Sequence, residues 1–267
     1  MINNLRMNLF RMRKNKVTYV LAAVSVGLYL LLFGVELLIN KAMSGVFSGL
    51  EIETDLTLPD MTAPRYNVFD SVVGMLTFLP MLTMMFTMIF FFTELSGGYA
   101  KNLIGYRGNK AACACAELLT SMIFSLAVLA VSVLLGLALS FLCYRDCTAE
   151  HFEKYALYLL MAFAEVMAFN MVVLALGNLT EKHILVMIFA ALFVAYAPLV
   201  DQLLVLAADH FFDWEIDINR YTILGGISSY SMETPAKYML LSTLIALTEL
   251  GLGYLLDIAA LKKRELR

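Results

Sequence analysis

Two carboxylates stand where a strongly apolar chain can least accommodate them. Glu165 and Glu249 each fall near the middle of a long apolar run, and Asn170 follows Glu165 by five residues. A carboxylate at mid-bilayer costs about 2.5–3.5 kcal/mol on insertion scales, so each should face a protein interior. There it can line a path, latch one span to another, or make a hydrogen-bonded packing contact. The two acids are expected on helices that run in opposite directions, so that they share one layer of the bundle. Asp257 and Glu117, near the inner ends of their runs, are expected to pair with basic loop residues. Glu36 and Asp201 lie near outer ends, where they reach water.

A second pattern is the stripe Met81, Met84, Met85 and Met88, at i, i+3, i+4 and i+7 just after Pro80. Flexible thioethers suit a surface that accepts varied apolar cargo, and they suit ordinary helix packing equally. Pro80 and Pro198 are expected to kink their helices, with neighbouring groups taking up the freed carbonyls.

A third is the stretch from Phe92 to Lys110, between two apolar runs. Gly97 and Gly98 break the incoming helix, and Lys101, Arg107 and Lys110 make it basic. The residues between can form a short helix of their own. An organised basic loop on a membrane protein is a docking element for another protein.

Other chemistry is missing from the sequence. Gly105-Tyr106-Arg107-Gly108-Asn109-Lys110 lacks the spacing of a phosphate-binding loop. His151, His183 and His210 are too scattered for a metal site. Gly225-Gly226-Ile227-Ser228-Ser229 resembles a serine motif only loosely, and is expected outside the membrane with no partner base. Cys113 and Cys115 point in different directions on a helix and should stay reduced. Cys143 and Cys147 face oxidising surroundings, where a disulfide would close a very small loop.

The elements that position these residues follow from composition. Of 267 residues, 61% are hydrophobic and 15% charged, and the mean hydropathy is +0.79. A soluble domain carries about 25% charged residues. Net charge of -3 gives no sign of nucleic-acid binding. Six runs reach the ~20 residues needed to cross a ~30 Å hydrocarbon core. They are Val17–Ile39, Phe69–Thr93, Cys113–Cys143, Tyr155–Leu179, Ile184–Ala208 and Tyr238–Leu261. Their continuity predicts helices rather than barrel strands, so the expected fold is an all-α polytopic membrane protein with six spans. A cleaved leader is not expected, because the first run is too long and lacks a small-x-small site.

Orientation comes from Lys and Arg. With both termini inside, thirteen of the 19 basic residues fall on the cytoplasmic side and six outside. The outer loops are acidic instead. Residues 1–16 form an expected interfacial helix, with Ile2, Leu5, Leu9 and Met12 on one face and Asn3, Arg6 and Arg13 on the other. Residues 40–68 hold Pro59 and Pro64 and predict an irregular or partly helical excursion. Residues 209–237 mix acids with Phe211, Phe212, Trp214 and Tyr221, which predicts a short helical element on or dipping into the outer leaflet. A connector around Glu181-Lys182-His183 forces a tight antiparallel helix pair. The whole chain, 1–267, reads as a single transmembrane domain.

These features together resemble the permease subunit of type-2 ABC exporters, above all the short permeases of Gram-positive peptide-export and antimicrobial-immunity systems that carry no ATPase. The local match is Glu94-Leu95-Ser96-Gly97-Gly98, then Lys101-Asn102, then Arg107 and Lys110 before the third span. Tyr99 departs from the family's small hydroxyl residue, and Glu117 falls where a lysine often comes. The resemblance covers the whole chain as topology and about 25 residues as sequence. It implies a non-enzymatic transport subunit in the plasma membrane, with ATP bound on a separate cytoplasmic ABC ATPase and no cofactor on this chain. It implies a second permease, identical or a sister, and a coupling loop over 94–112 that uses Glu94, Gly97, Gly98, Lys101, Arg107 and Lys110. Path-lining candidates are Glu165, Asn170, Glu249, Met81, Met84, Met85 and Met88. Lipid is the other partner, nucleic acid is not, and the direction leans towards export. Two other readings stay open: an immunity or receptor protein binding a peptide at its outer loops, and an intramembrane enzyme.

Overall fold

The computed structural model describes residues 2–49, 66–67, 76–96, 110–143, 147–148, 152–212, 222–230 and 234–265. Eight helices are described: α1 (Ile2–Lys14), α2 (Lys16–Gly49), α3 (Leu79–Ser96), α4 (Lys110–Cys143), α5 (Phe152–Thr180), α6 (His183–Phe212), α7 (Gly225–Ser229) and α8 (Ala236–Glu265). The fold is all-α apart from one two-residue parallel pairing, β1 (Tyr66–Asn67) with β2 (Cys147–Thr148).

Among the described residues, four helical stretches are long and apolar enough to cross a membrane: Lys16–Val35, Lys110–Leu142, Phe152–Thr180 and Ala236–Lys263. Two shorter apolar stretches, Leu79–Phe92 and His183–Ala197, accompany them. Six continuous spans are therefore not all present at full length among the described residues. Leu76 is helical, Thr77 and Phe78 form a turn, and Pro80 sits in the first turn of the helix that follows. A missing N–H costs nothing there, because the first amides of a helix have no intrahelical partner. The helical path is thus interrupted just ahead of Pro80. α6 runs through Pro198 without interruption.

α5 is the axis of the bundle. It packs against α3, α4, α6, α7 and α8, and 72% of its most apolar window is buried, against 17% for α2. Its sequence is apolar all round, the pattern of a helix enclosed by others. The closest partnership is with α8. Ala164 and Ala168 meet Ala246, a Cβ on Gly253 would stand 3.2 Å from the Met171 Cβ, and Asn178 reaches Asp257. Residue numbers rise together along both helices, so α5 and α8 are parallel. The expected opposite directions for the Glu165 and Glu249 helices do not hold. Small residues line the seam and bring the two backbones close, as in membrane helix pairs generally.

α5 and α6 form the tight antiparallel pair that their short connector requires. Glu181 adopts a left-handed φ of 60°, and its N–H donates to the Gly177 carbonyl at 3.0 Å. Phe169 stacks on Phe193 across the pair, and His183 stacks on Phe92 of α3 at 3.5 Å between centroids.

α1 packs along α4. Arg6, Arg13 and Asn3 are exposed while Leu5, Leu9 and Met12 are half-buried, and Met12 touches the main core. Two residues depart from the expected division. Ile2 is exposed, and Asn8 is buried against the bundle. The Arg11 guanidinium lies 5.1 Å from the centre of the Phe90 ring, which ties α1 to the end of α3. Asn15 joins α1 to α2, its side-chain oxygen accepting the Val17 N–H at 3.0 Å as a helix cap.

Candidate functional site

The interior carries a seam of hydroxyls and amides inside apolar walls. On α4, Glu117, Ser121, Ser125, Ser132 and Ser140 are all buried and recur at four- or near-eight-residue steps, which puts them on one face. The Ser121 and Thr87 hydroxyls meet at 3.0 Å between α4 and α3. One turn further, the Asn170 amide lies between α3 and α4. Its nitrogen is 3.4 Å from the Ser125 hydroxyl, and its oxygen 3.5 Å from the Thr83 hydroxyl. Thr83 and Thr87 also donate back to carbonyls of their own helix, to Leu79 at 2.9 Å and Thr83 at 2.8 Å. Asn170 is therefore an interior residue, as its cost in lipid requires.

Around this seam the packing is dense. Phe86 stacks on Phe124 with centroids 3.6 Å apart. Met84 and Met88 are buried in the main core, Met85 is half-buried at its edge, and Met81 is half-buried. The methionine stripe thus wraps from the core to its margin and does not present one open face.

Glu165 is buried, and a backbone group is among its partners. The Ile227 N–H donates to Glu165 Oε2 at 3.1 Å. The Tyr158 hydroxyl, two turns earlier on the same face of α5, donates to the Ile227 carbonyl at 3.3 Å. A Cβ on Gly226 would run into Glu165 Oε1 and stand 2.8 Å from the Met161 sulfur. Glycine at 226 is thus what lets the carboxylate approach the chain. Thr222–Tyr230 does not stay outside the bundle. Glu165 comes thirteen residues after Phe152, about 20 Å along α5 at 1.5 Å per residue. α7 reaches that level, packed between α5 and α6. Gly225-Gly226-Ile227-Ser228-Ser229, expected outside with no partner base, has the Glu165 carboxylate against Gly226 and Ile227. A signal was present in the sequence: the acids ahead of the glycine pair stop at Asp217, and Tyr221, Ile223 and Leu224 lead up to it.

Glu249 differs. It is half-buried on α8, one turn beyond Ala246, and so within about a turn of the level of Glu165. The two acids share a depth along the α5–α8 pair, but only Glu165 is enclosed.

At the other end of α5, Asn178 Nδ2 donates to Asp257 Oδ1 at 2.7 Å, both residues buried. The Tyr254 hydroxyl donates to the Ala111 carbonyl at 3.0 Å, tying α8 to the first turn of α4. Cys113 Sγ lies 3.4 Å from Glu117 Oε1. Asp257 and Glu117 thus have neutral partners on the helices themselves. Cys113 and Cys115 are free thiols. Of the expected coupling residues, Lys110 opens α4 and is half-buried, and Glu94 lies in the last turn of α3 with its side chain outside the described atoms. Gly97, Gly98, Lys101 and Arg107 lie outside the described residues, as do the side chains of Glu36, Asp201, Cys143 and Cys147. Among the described residues no cluster of three or more His, Cys, Asp or Glu could hold a metal ion.

No family model, curated protein or solved structure matches this chain.

Proposed function

We propose that the chain is the transmembrane permease subunit of an ATP-driven exporter. The observation that carries this reading is the polar seam from Glu117 to Asn170, enclosed by three membrane-length or apolar helices. A simple membrane anchor has no need of buried hydroxyls on two helices facing a buried amide on a third. A path that alternately closes and opens does, because its walls must be packed when shut and wetted when open. The resemblance over Glu94–Lys110 supplies the second support, since it places a basic coupling loop between α3 and α4.

In this reading both termini and the 94–112 loop are cytoplasmic, six segments cross the plasma membrane of a Gram-positive bacterium, and α1 lies at the inner interface. A second permease, identical or a sister, completes the path. ATP binds a separate cytoplasmic ATPase, whose closure is transmitted through the loop to α3 and α4 as a two-state switch. Peptide export or resistance to an antimicrobial peptide is the cargo class the resemblance suggests. Asn170 and Glu165 then stand on the path wall, with Glu249 and the methionines at its margin.

Purification of the tagged chain from its native membrane, with identification of what accompanies it, tests the reading. An ATPase with a phosphate-binding loop should copurify. Reversing the three loop charges (Lys101→Glu, Arg107→Glu, Lys110→Glu) should weaken that association on the order of tenfold, while insertion persists. Full retention of ATPase binding and transport by the triple variant would remove the coupling role.

A further inference from the structure

The geometry points to Glu165 as the latch of a releasable segment: its carboxylate seats Thr222–Tyr230 inside the bundle, and its loss frees that segment while the spans stay packed. Four observations carry the inference.

First, the segment is buried but is not a span. Leu224, Ile227 and Tyr230 belong to the main core, and Gly225 and Gly226 are buried with them. Yet the helix within it has five residues. A helix that short is far below the length at which helical hydrogen bonds sustain themselves, so its order must come from its surroundings.

Second, polar ties from single side chains hold the segment to its surroundings. Glu165 accepts the Ile227 N–H, Tyr158 donates to the Ile227 carbonyl, and Tyr230 and Ser242 share a hydroxyl contact at 3.0 Å. The first two converge on the backbone of one residue, and both come from α5. Buried backbone groups need partners, so these ties decide whether the segment can stay inserted.

Third, the site is shaped for a carboxylate. Gly226 leaves the space that Glu165 Oε1 occupies, and Met161 fills the remainder. An interior acid that served only as packing would need no such gap in a neighbouring chain.

Fourth, the segment can leave without dismantling the bundle. α7 touches α5 and α6, whereas the α5–α8 seam is built separately from Ala164, Ala168, Ala246 and Gly253. Glu165 is thus a positioning residue, acting through the chain it holds.

The test is hydrogen exchange, read by mass spectrometry on the full-length protein in lipid nanodiscs. It needs neither an ATPase nor a cargo, so its outcome is separate from that of the permease reading. Glu165→Leu should accelerate exchange over 222–230 about 10- to 100-fold, the effect of losing a hydrogen bond to a charged or strongly polar acceptor. Exchange in α5 and α8 should stay unchanged. Glu165→Gln keeps a carbonyl acceptor and should stay close to wild type. Gly226→Ala should accelerate exchange from the other side of the contact. If Glu165→Leu does not insert, Gly226→Ala and Tyr158→Phe carry the test, both leaving the acid in place. Unchanged exchange over 222–230 in these variants would overturn the latch. Equal acceleration over 222–230, α5 and α8 would overturn it too, because Glu165 would then be a general packing residue.

Discussion

The middle of α5 and its Asn178 end solve the same problem differently. Each buries a carboxylate in an apolar bundle, and each must give it a hydrogen-bond donor. At the Asn178 end the donor is a side-chain amide, and donor and acceptor ride on two long parallel helices. Other ties gather there: Tyr254 to the Ala111 carbonyl, His183 on Phe92, Arg11 over Phe90. These contacts cross between α1, α3, α4, α5, α6 and α8. At Glu165, in the middle, a donor is the backbone N–H of Ile227 in a five-residue helix. The Asn178 end is cross-braced and can yield only with the whole bundle. The segment held at Glu165 can yield alone. The difference assigns the scaffold to one level and the adjustable part to the other, and the braced end is also where α3 leads into the loop before α4.

The largest expected effect comes from breaking the braced end. Asn178→Leu removes the donor and leaves the Asp257 carboxylate buried without it. The cost should be on the order of 3 kcal/mol, because the acid loses a hydrogen bond and cannot recover it from water. Thermal unfolding in detergent or nanodiscs should show a single, lowered transition, with α5 and α8 loosening together in hydrogen exchange. Loosening confined to the last turn of α5 would mean that the bracing is weaker than its geometry implies, and the contrast with Glu165 would fail.

The sequence foretells the helices and leaves their partners unnamed. Apolar runs are continuous, so the positions of α4, α5, α6 and α8 follow from hydropathy to within a few residues at most ends. The interior placement of Glu165 and Asn170 follows from the cost of exposing them to lipid. What Glu165 binds does not follow, because a backbone N–H has no signature in the sequence. Gly226 marks the contact only once the geometry is known. The relative direction of α5 and α8 could have been counted: helices separated by one intervening crossing run the same way. Pro80 reads as a break in an apolar run, and the turn at Thr77–Phe78, between helical Leu76 and Leu79, places that break just ahead of it. Asn8 lies on the face of α1 that periodicity assigns to contact, but a polar residue is expected to avoid such a position. Its burial depends on α4, which no local pattern reveals.

A smaller effect should come from the seam that joins the two levels. Gly253 faces the α5 backbone, and a Cβ there would stand 3.3 Å from the Val172 nitrogen and 3.2 Å from the Met171 Cβ. Gly253→Ala needs a shift of a few tenths of an ångström. Gly253→Leu must push α5 and α8 apart, at about 2 kcal/mol for overpacking. Gly251, on the same helix, meets nothing within 4 Å, so Gly251→Leu is the matched control and should be close to neutral. Comparable destabilisation by both leucines would show that the close approach at Gly253 is not what sets the α5–α8 distance.

The smallest effect concerns α1, the outermost brace at the Asn178 end. Arg11 sits over Phe90, and the adjacent Met12 reaches the core. A guanidinium over an aromatic face contributes about 0.5–1 kcal/mol when exposed and about 2 when desolvated, and Arg11 is half-buried. Arg11→Ala should therefore cost about 1 kcal/mol. Arg11→Lys should recover part of that, since an ammonium keeps the charge but loses the flat stacking surface. The loss should appear as faster exchange in α1 alone, because Met12 and the Asn15 cap still hold its far end to the bundle. Exchange over Thr222–Tyr230 should not change, as that segment is tied to α5 at Tyr158 and Glu165, well away from the Asn178 end. If Arg11→Ala also speeds exchange there, the two levels of α5 are coupled, and the separation between a braced end and a releasable segment must be given up.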